Sequence, residues 1–187
     1  GTLHSRKQQH PWKIPKNITR ITDLINKFMD LSNQSSNITP DLYDLEDLLK
    51  NVFQVFSKPL VEHKIEYNIE NHCSKKLFMN QEEVFRALLN IIRNSVEAIK
   101  NLDTRCINCV IKEEENLVKL TITDSGDGLS EEVKTAIFDP FFTTKLFKNI
   151  GLGLTMSLVL IEKNGGSLYL DSTSKQTKLV ITFKAPS

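Results

Sequence analysis

The stretch from Leu120 to Leu154 constrains the fold more than any other part of the sequence. It begins with a short β pattern, followed at once by Asp124 and by a glycine pair, Gly126 and Gly128. Glycine has no Cβ, so the backbone at such a pair can approach a flat or charged group closely. A carboxylate beside the pair can accept a hydrogen bond from an amino group. The arrangement indicates a binding turn at the end of a strand.

Two further motifs follow within the same stretch. A second glycine pair, Gly151 and Gly153, opens an apolar helical pattern, and free N–H groups at a helix start are typical of phosphate binding. Each motif alone is common in ordinary turns, but their order along the chain is what a nucleotide site requires. Between the glycine pairs lie aromatic, hydroxyl and cationic side chains: Phe138, Phe141, Phe142, Thr143, Thr144 and Lys145.

Upstream, apolar residues at helical spacing predict a long helix from Gln81 to Lys100. Asn90 and Asn94 are four residues apart, so they project from the same side of this helix. Asparagine is a mediocre helix former, and one could be explained by bonds to the backbone. Two on one face favour contact with a metal and phosphate, because an amide oxygen suits Mg²⁺.

The composition excludes several functional classes. The 187 residues are 40% hydrophobic and 25% charged, with a formal net charge of +1. Balanced charge gives no reason to expect nucleic acid or an anionic membrane surface, and no apolar run approaches the ~20 residues that span a bilayer. We therefore expect that the chain does not bind nucleic acid, that this fragment makes no membrane contact, and that it lies in the cytoplasm. A membrane anchor elsewhere in a parent protein stays open.

The three cysteines indicate a reducing compartment, because their number is odd. Cys106 and Cys109 form a C-x-x-C pair, but a tetrahedral zinc site needs four ligands. The sequence offers neither a second pair nor a nearby pair of histidines, so we interpret both cysteines as structural.

The chain divides into residues 1–40 and residues 41–187. Within 14–33, isoleucines and a phenylalanine alternate spacings of four and three, which is typical of paired helices. This helix packs either on its own domain or, as we prefer, serves as a dimerising or interdomain helix. A polar linker from Ser32 to Pro40 follows.

The second part reads as an α+β domain. A helical pattern covers Asp41 to His63 and is ended or interrupted by Pro59. A helix from Leu152 to Lys163 ends at Asn164-Gly165-Gly166. The remaining segments predict a mixed or antiparallel sheet with helices on one face. Its predicted strands are Lys64–Ile69, Lys76–Met79, the hairpin Ile107–Lys112 and Leu117–Thr123, Ser167–Asp171 and Lys178–Lys184.

Four of these motifs, in this order, resemble the asparagine, first glycine, phenylalanine and second glycine boxes of sensor histidine kinases. They are Asn90 to Ala98, Asp124 to Gly128, Phe138 to Lys145 and Gly151 to Leu154. The resemblance covers roughly residues 42–186 and implies the two-layer Bergerat-type ATP-binding fold. Residues 14–33 are similar to the second helix of the dimerisation and phosphoacceptor domain of those kinases.

The resemblance implies specific roles. Asp124 would accept from the adenine amino group, with Gly126 and Gly128 letting backbone lie against the base. Asn94 would hold Mg²⁺ on the phosphates with support from Asn90. Lys145 would meet the γ-phosphate, and phenylalanines would anchor a lid from about Thr143 to Ile150. The implied cofactor contacts also include Phe138, Phe142, Thr143, Thr144, Gly151, Leu152, Gly153 and Leu154.

Three departures from the family pattern stand out. Asn149 replaces a glycine before the second glycine box, and Lys178-Leu179 stand where a third glycine box is expected. The acceptor histidine of the family is normally followed by an acidic residue, but His4 precedes Ser5 and His10 precedes Pro11. We therefore expect the acceptor to lie upstream of this fragment.

The sequence thus predicts the ATP-binding catalytic domain of a sensor histidine kinase. With Mg-ATP, the parent enzyme would phosphorylate a histidine and relay the group to a response regulator receiver domain, as a homodimer through its helical domain. One alternative is a degenerate nucleotide-binding or docking module, motivated by the absent third glycine box. Another is an ATPase of the gyrase or chaperone kind, disfavoured by Asn90, where those ATPases carry a glutamate.

Overall fold

The computed structural model describes residues 39–142 and 151–185. The helix predicted at 14–33 and the side chains of Thr143, Thr144 and Lys145 lie outside these ranges. The described residues form seven strands and five helices. In chain order they are β1 Asp41–Tyr43, α1 Leu45–Val55, α2 Ser57–Glu62, β2 Glu66–His72, β3 Leu77–Met79, α3 Gln81–Ile99, β4 Cys106–Glu114, β5 Leu117–Asp124, α4 Glu131–Ala136, α5 Gly153–Lys163, β6 Ser167–Leu170 and β7 Lys178–Lys184.

Five strands form one mixed sheet in the order β2-β4-β5-β7-β6. The β2–β4 pair is parallel, and the other three pairs are antiparallel. The helices α3 and α5 pack against each other and contact this sheet through β4 and β6, respectively. The predicted α+β, two-layer architecture is therefore confirmed.

The hairpin of β4 and β5 is predicted correctly, and its turn is tighter than the charged segment at 113–116 suggests. Glu114 pairs with Leu117, so Glu115 and Asn116 alone make the turn. Both have positive φ, 49° and 66°. Two successive positive φ values define the type I′ turn, whose twist matches that of the flanking strands.

The alternation of β5 decides where Asp124 points. Val118, Leu120 and Ile122 are buried at every second position, and Asp124 continues the series at the strand end. Alternate residues of a strand face the same side of its sheet. Asp124 therefore faces the helices with the core residues rather than the open side of the sheet.

The helix α3 fills the centre of the helix layer. Asn80 caps it, accepting a hydrogen bond from Glu83 N at 3.2 Å. Its apolar face is fully buried and includes Leu88, Ile91 and Ile99. No helix within the described ranges is both long enough and apolar enough to cross a bilayer.

The single helix expected over 41–63 is wrong in two places. Asp41–Tyr43 is a strand, because it pairs with Leu77–Met79 in a separate two-stranded sheet. Asp44 then caps α1, accepting from Glu46 N at 2.8 Å. The helical segment is interrupted at Phe56, between α1 and α2, and not at Pro59. Pro59 lies in the first turn of α2, where its missing N–H breaks no helical hydrogen bond.

Two other differences concern short elements. The strand expected over 64–69 runs from Glu66 to His72, after Lys64 with φ of 51°. The helix α4 was not predicted. Its start is encoded locally, because Ser130 accepts from Val133 N and two glutamates occupy the first turn.

Candidate functional site

The centre of the candidate site is the carboxyl group of Asp124, which is 3% exposed. Its Oδ1 accepts a hydrogen bond from Gly126 N at 3.0 Å. Burial raises the pKa of this carboxyl, while hydrogen bonds from the Gly126 amide and the Ser95 hydroxyl oppose the rise. A buried carboxylate with two donors retains capacity to accept further hydrogen bonds.

Ser95 joins this strand end to the helix of the two asparagines. It belongs to α3 and is 6% exposed, and its hydroxyl lowers the pKa of the Asp124 carboxyl. Asn94 is its neighbour in sequence, and both Asn90 and Asn94 are half-buried. The turn after Asp124 packs on the same helix at Ile99, and the use of Asp124 and Asn94 in one site remains a prediction.

The two glycines after Asp124 are needed by the protein's own chain. A Cβ at Gly126 would lie 2.9 Å from Asp124 Oδ1, because the turn folds back onto that carboxyl. Gly128 has φ of +83°, and a Cβ there would lie 2.1 Å from the carbonyl oxygen of Lys175. The contact of these glycines with a base remains a prediction. The lack of room for a Cβ at either position, however, is a property of the fold itself.

The second glycine pair brings α5 to the asparagine helix. A Cβ on Gly153 would lie 4.0 Å from Cβ and Cγ of Asn90. The preceding residue, Leu152, makes no side-chain cap at this helix start. Uncapped N–H groups at a helix start carry partial positive charge and are suited to an anion. Leu154 packs its side chain against the core, so its own N–H is what it can offer a ligand.

The phenylalanine box joins the two ends of the segment 143–150. Phe141 N donates to Gly151 O at 3.0 Å, and Phe141 has φ of 67°. At Gly151, with φ of 74°, a Cβ would lie 2.6 Å from Phe142 O. Phe138 packs against the core, and its carbonyl accepts from Thr155 at 2.9 Å. Thr143, Thr144 and Lys145 fall between these ends, outside the described residues.

The segment that lacks the third glycine box still reaches the site. Asp124 N donates to Thr177 O at 3.2 Å. The preceding residues, Lys175 and Gln176, pack against Gly128. The backbone of 175–177 therefore lies beside the Asp124 turn although Lys178-Leu179 contains no glycine.

Within the described part of the chain, no group of three or more His, Cys, Asp or Glu side chains could hold a metal ion. Cys106 and Cys109 are free thiols in β4. Burial raises the pKa of Cys109 to about 12, so it stays protonated.

Residues 79–187 match the family model described as histidine kinase-, DNA gyrase B-, and HSP90-like ATPase. The chain belongs to this family. It is 29% identical over 173 residues to sporulation kinase A of Bacillus subtilis, a match that covers 89% of this chain and 27% of that protein. The predicted ATP-binding catalytic domain of the histidine kinase type is confirmed, and it spans about a quarter of that relative.

Solved structures of histidine kinases share the fold. The nucleotide-free catalytic domain of histidine kinase ThkA has a TM-score of 0.70 and 23% identity, covering 79% of this chain and 97% of that one. ThkA in complex with the response regulator protein TrrA gives a TM-score of 0.67 and 20% identity. That match covers 95% of this chain and 53% of that one.

Sequence reasoning missed Ser95 and the backbone at 175–176. Ser95 could have been found, because it interrupts an otherwise apolar stripe at Leu88, Ile91 and Ile99. The Lys175 carbonyl left no sequence signal, since its contact with Gly128 depends on a loop almost fifty positions away.

Proposed function

We propose that this domain binds ATP with Mg²⁺ between the Asp124 turn, the α3 asparagines and the N-terminus of α5. The observation that carries the proposal is the packing of the Asp124 turn on α3, the helix of Asn94: Gly126 N donates to Asp124 Oδ1 at 3.0 Å, and a Cβ at Gly126 would lie 3.8 Å from Ile99 Cγ2. This packing supports a single ligand with its base at Asp124 and its phosphates at Asn94.

The adenine end depends on burial. A carboxyl that is 3% exposed meets little water, and its oxygens can accept more hydrogen bonds than the one that Gly126 N donates. The exocyclic amino group of adenine would supply a further donor. The Gly126 amide would hold the carboxyl while it accepts.

The phosphate end combines amides with a helix start. Asn94 would hold Mg²⁺ and Asn90 would support it, next to the uncapped N-terminus of α5. When bound, Mg²⁺ neutralises phosphate charge and fixes the orientation of the phosphates. Lys145, Thr143 and Thr144 remain predicted phosphate contacts. Gly151, Leu152, Gly153 and Leu154 would present backbone N–H groups, with Phe138 and Phe142 supporting the segment between.

Transfer to a side chain is favoured over hydrolysis by Asn90. Its amide lies against Gly153 in the position where the gyrase-type ATPases carry a glutamate. An amide cannot take a proton from water, so no general base is supplied there. Phosphoryl transfer to a positioned acceptor depends chiefly on orientation and charge neutralisation.

The whole-protein role extends this proposal beyond the fragment. We infer a parent histidine kinase with residues 1–40 as part of its helical dimerisation region and 41–187 as its catalytic domain. It would act in the cytoplasm as a homodimer and pass the phosphoryl group to a receiver domain. The similarity to sporulation kinase A and the ThkA complex with TrrA support this proposal.

Calorimetry with a non-hydrolysable ATP analogue, with and without Mg²⁺, tests the proposal. We expect Asn94→Ala to weaken the Mg²⁺-dependent affinity by roughly 10- to 100-fold, the scale of one hydrogen bond to a charged group. Adenosine should bind this variant as it binds the wild type. Asn108→Ala, at an exposed asparagine of β4, is the matched control.

Two outcomes would contradict the proposal. Absence of heat and of thermal stabilisation with the wild-type chain would leave only a docking role. Steady ATP hydrolysis that Asn94→Ala abolishes would instead favour an ATPase of the gyrase or chaperone kind.

A further inference from the structure

The strand β2 forms one edge of the five-stranded sheet, because among the described strands it pairs with β4 alone. Glu66 N donates at 2.9 Å to the carbonyl oxygen of Arg105, the residue that precedes β4. Backbone groups of successive strand residues point to opposite edges, so those of Glu66 and of every second residue after it point to β4. The N–H and C=O groups of Tyr67, Ile69 and Asn71 therefore point outward.

These outward groups have no hydrogen-bond partner among the described residues. The edge is also partly apolar, since the ring of Tyr67 is 48% exposed and stacks on Phe53 with the ring centroids 4.1 Å apart. Unpaired N–H and C=O groups along an edge strand are a template for pairing with another strand. The outward edge of β2 is therefore a candidate interaction surface, and its side chains decide which partner it fits.

The exposed side chains of β2 include two carboxylates. Four exposed residues face the open side of the sheet: Glu66, Asn68, Glu70 and His72. Tyr67, between the first two, has the buried Ile107 as its Cα partner and faces the helices instead. Asn68 Nδ2 donates to Glu70 Oε1 at 2.9 Å, and His72 Nε2 lies 3.7 Å from Glu70 Oε2. Like charges directly opposite each other destabilise strand pairing, so a partner strand must not place a carboxylate against either glutamate.

A second copy of β2 meets this requirement in one antiparallel register. Outward residues must lie opposite outward residues, so a two-fold axis that pairs most of the strand falls at Asn68, Ile69 or Glu70. With the axis at Asn68, Glu66 lies opposite Glu70 of the second copy, and with the axis at Glu70 that residue lies opposite itself. With the axis at Ile69, Asn68 lies opposite Glu70. Glu66 then lies opposite His72, so each carboxylate has an amide or an imidazole as its neighbour.

We propose that two copies of this chain associate through β2, paired antiparallel about a two-fold axis at Ile69. The outward N–H and C=O groups of Tyr67, Ile69 and Asn71 would then be hydrogen-bonded across the junction. On the helix-facing side, Ile69 would lie against its own counterpart, and the exposed part of the Tyr67 ring would lie against Asn71. The two five-stranded sheets would join into one. This interface uses no residue of the proposed nucleotide site, so it stands independently of that proposal.

Sedimentation of the full 187-residue chain over a range of concentrations tests the charge argument. Asn68→Glu would place carboxylates opposite Glu70 in both halves of the junction, so the dissociation constant for self-association should rise about tenfold. Asn68→Lys would place cations there, so this constant should fall several-fold.

The matched controls for these variants are Asn108→Glu and Asn108→Lys. Asn108 is exposed, is the Cα partner of Asn68 in β4 and lies one strand inside the edge. The controls therefore change the net charge equally, but they should leave the dissociation constant close to that of the wild type.

Cysteine cross-linking tests the register and separates this junction from association through any other segment. In the register about Ile69, positions 68 and 70 of the two copies form a non-hydrogen-bonded pair, whose Cα atoms lie about 4.5 Å apart. A disulfide requires Cα atoms less than about 7 Å apart. Chains with Asn68→Cys, mixed with chains with Glu70→Cys, should therefore form a disulfide on oxidation. Chains with Asn68→Cys alone should form far less, because their cysteines are offset by two residues along the strands.

Cys73→Ser in every chain removes the nearest native thiol, and mass spectrometry identifies the linked peptides. We expect a disulfide confined to the mixture and weaker association in Asn68→Glu than in Asn108→Glu. Failure of the mixture to form the 68–70 disulfide, or equal linkage with Asn68→Cys alone, would refute the proposed register. Equal association of Asn68→Glu and Asn108→Glu would show that β2 is not the junction.

Discussion

Substitution of Gly128 by alanine tests the closest backbone approach in the candidate site. Gly128 has φ of +83°, and an added Cβ would lie 2.1 Å from the carbonyl oxygen of Lys175. Both atoms belong to the backbone or are fixed to it, so no side-chain rotation can relieve the overlap. We expect the loop around Lys175 to move away from the turn, taking its neighbour Thr177 with it.

The expected loss of stability has two parts. Holding an L-residue at positive φ costs roughly 1–2 kcal/mol. Overpacking typically costs about 1–3 kcal/mol. The free energy of unfolding should therefore fall by about 2–5 kcal/mol. For a domain of this size, each kcal/mol lowers the melting temperature by about 2–4 °C, so a decrease of about 10 °C is expected.

Gly165→Ala is the matched control. Gly165 has φ of +71°, and an added Cβ there would meet nothing within 4 Å. This variant should show the backbone strain alone, about 1–2 kcal/mol. Urea unfolding of the two variants and the wild type measures the difference, which is the contribution of the Lys175 contact. If Gly128→Ala is no less stable than Gly165→Ala, the packing of the 175–177 loop described above is wrong.

Two further predictions concern buried groups. Because burial raises the pKa of Asp124 above its unfolded value, ionisation of this group opposes folding at neutral pH. Asp124→Asn should therefore melt at an equal or higher temperature than the wild type near pH 7, and this advantage should disappear as the pH falls below the carboxyl pKa. The variant should also bind adenine nucleotides more weakly. A lower melting temperature at pH 7 would contradict the prediction. Cys109 is fully buried with a pKa of about 12, so a thiol reagent at mildly alkaline pH should modify it only when the protein unfolds. The partly exposed Cys73 and Cys106 should react in the native protein. Mass spectrometry of the labelled chain identifies which cysteines have reacted.

Elements with a strong local signal were predictable to within a residue or two. The helix expected over 81–100 runs from Gln81 to Ile99, because its apolar spacing and its Asn80 cap are both local. The same holds for the helix that ends at Lys163. The β4–β5 hairpin follows from alternation on both sides of a short turn.

Elements that depend on a distant partner were not predictable. Asp41–Tyr43 is a strand because Leu77–Met79 lies beside it, and its three residues carry too little pattern to compete with the helix that follows. The parallel pairing of β2 with β4 likewise requires α3 to cross between them.

The sequence by itself determined the family, the long asparagine helix and the order of the binding motifs, since these depend on residue type and on periodicity over one or two turns. The tertiary structure decided which groups meet. It placed the turn after Asp124 on Ile99 of α3 and the Lys175 carbonyl against Gly128. Such contacts join residues far apart in the chain, and packing of the helix layer on the sheet, rather than any local preference, brings them within hydrogen-bonding distance or van der Waals contact.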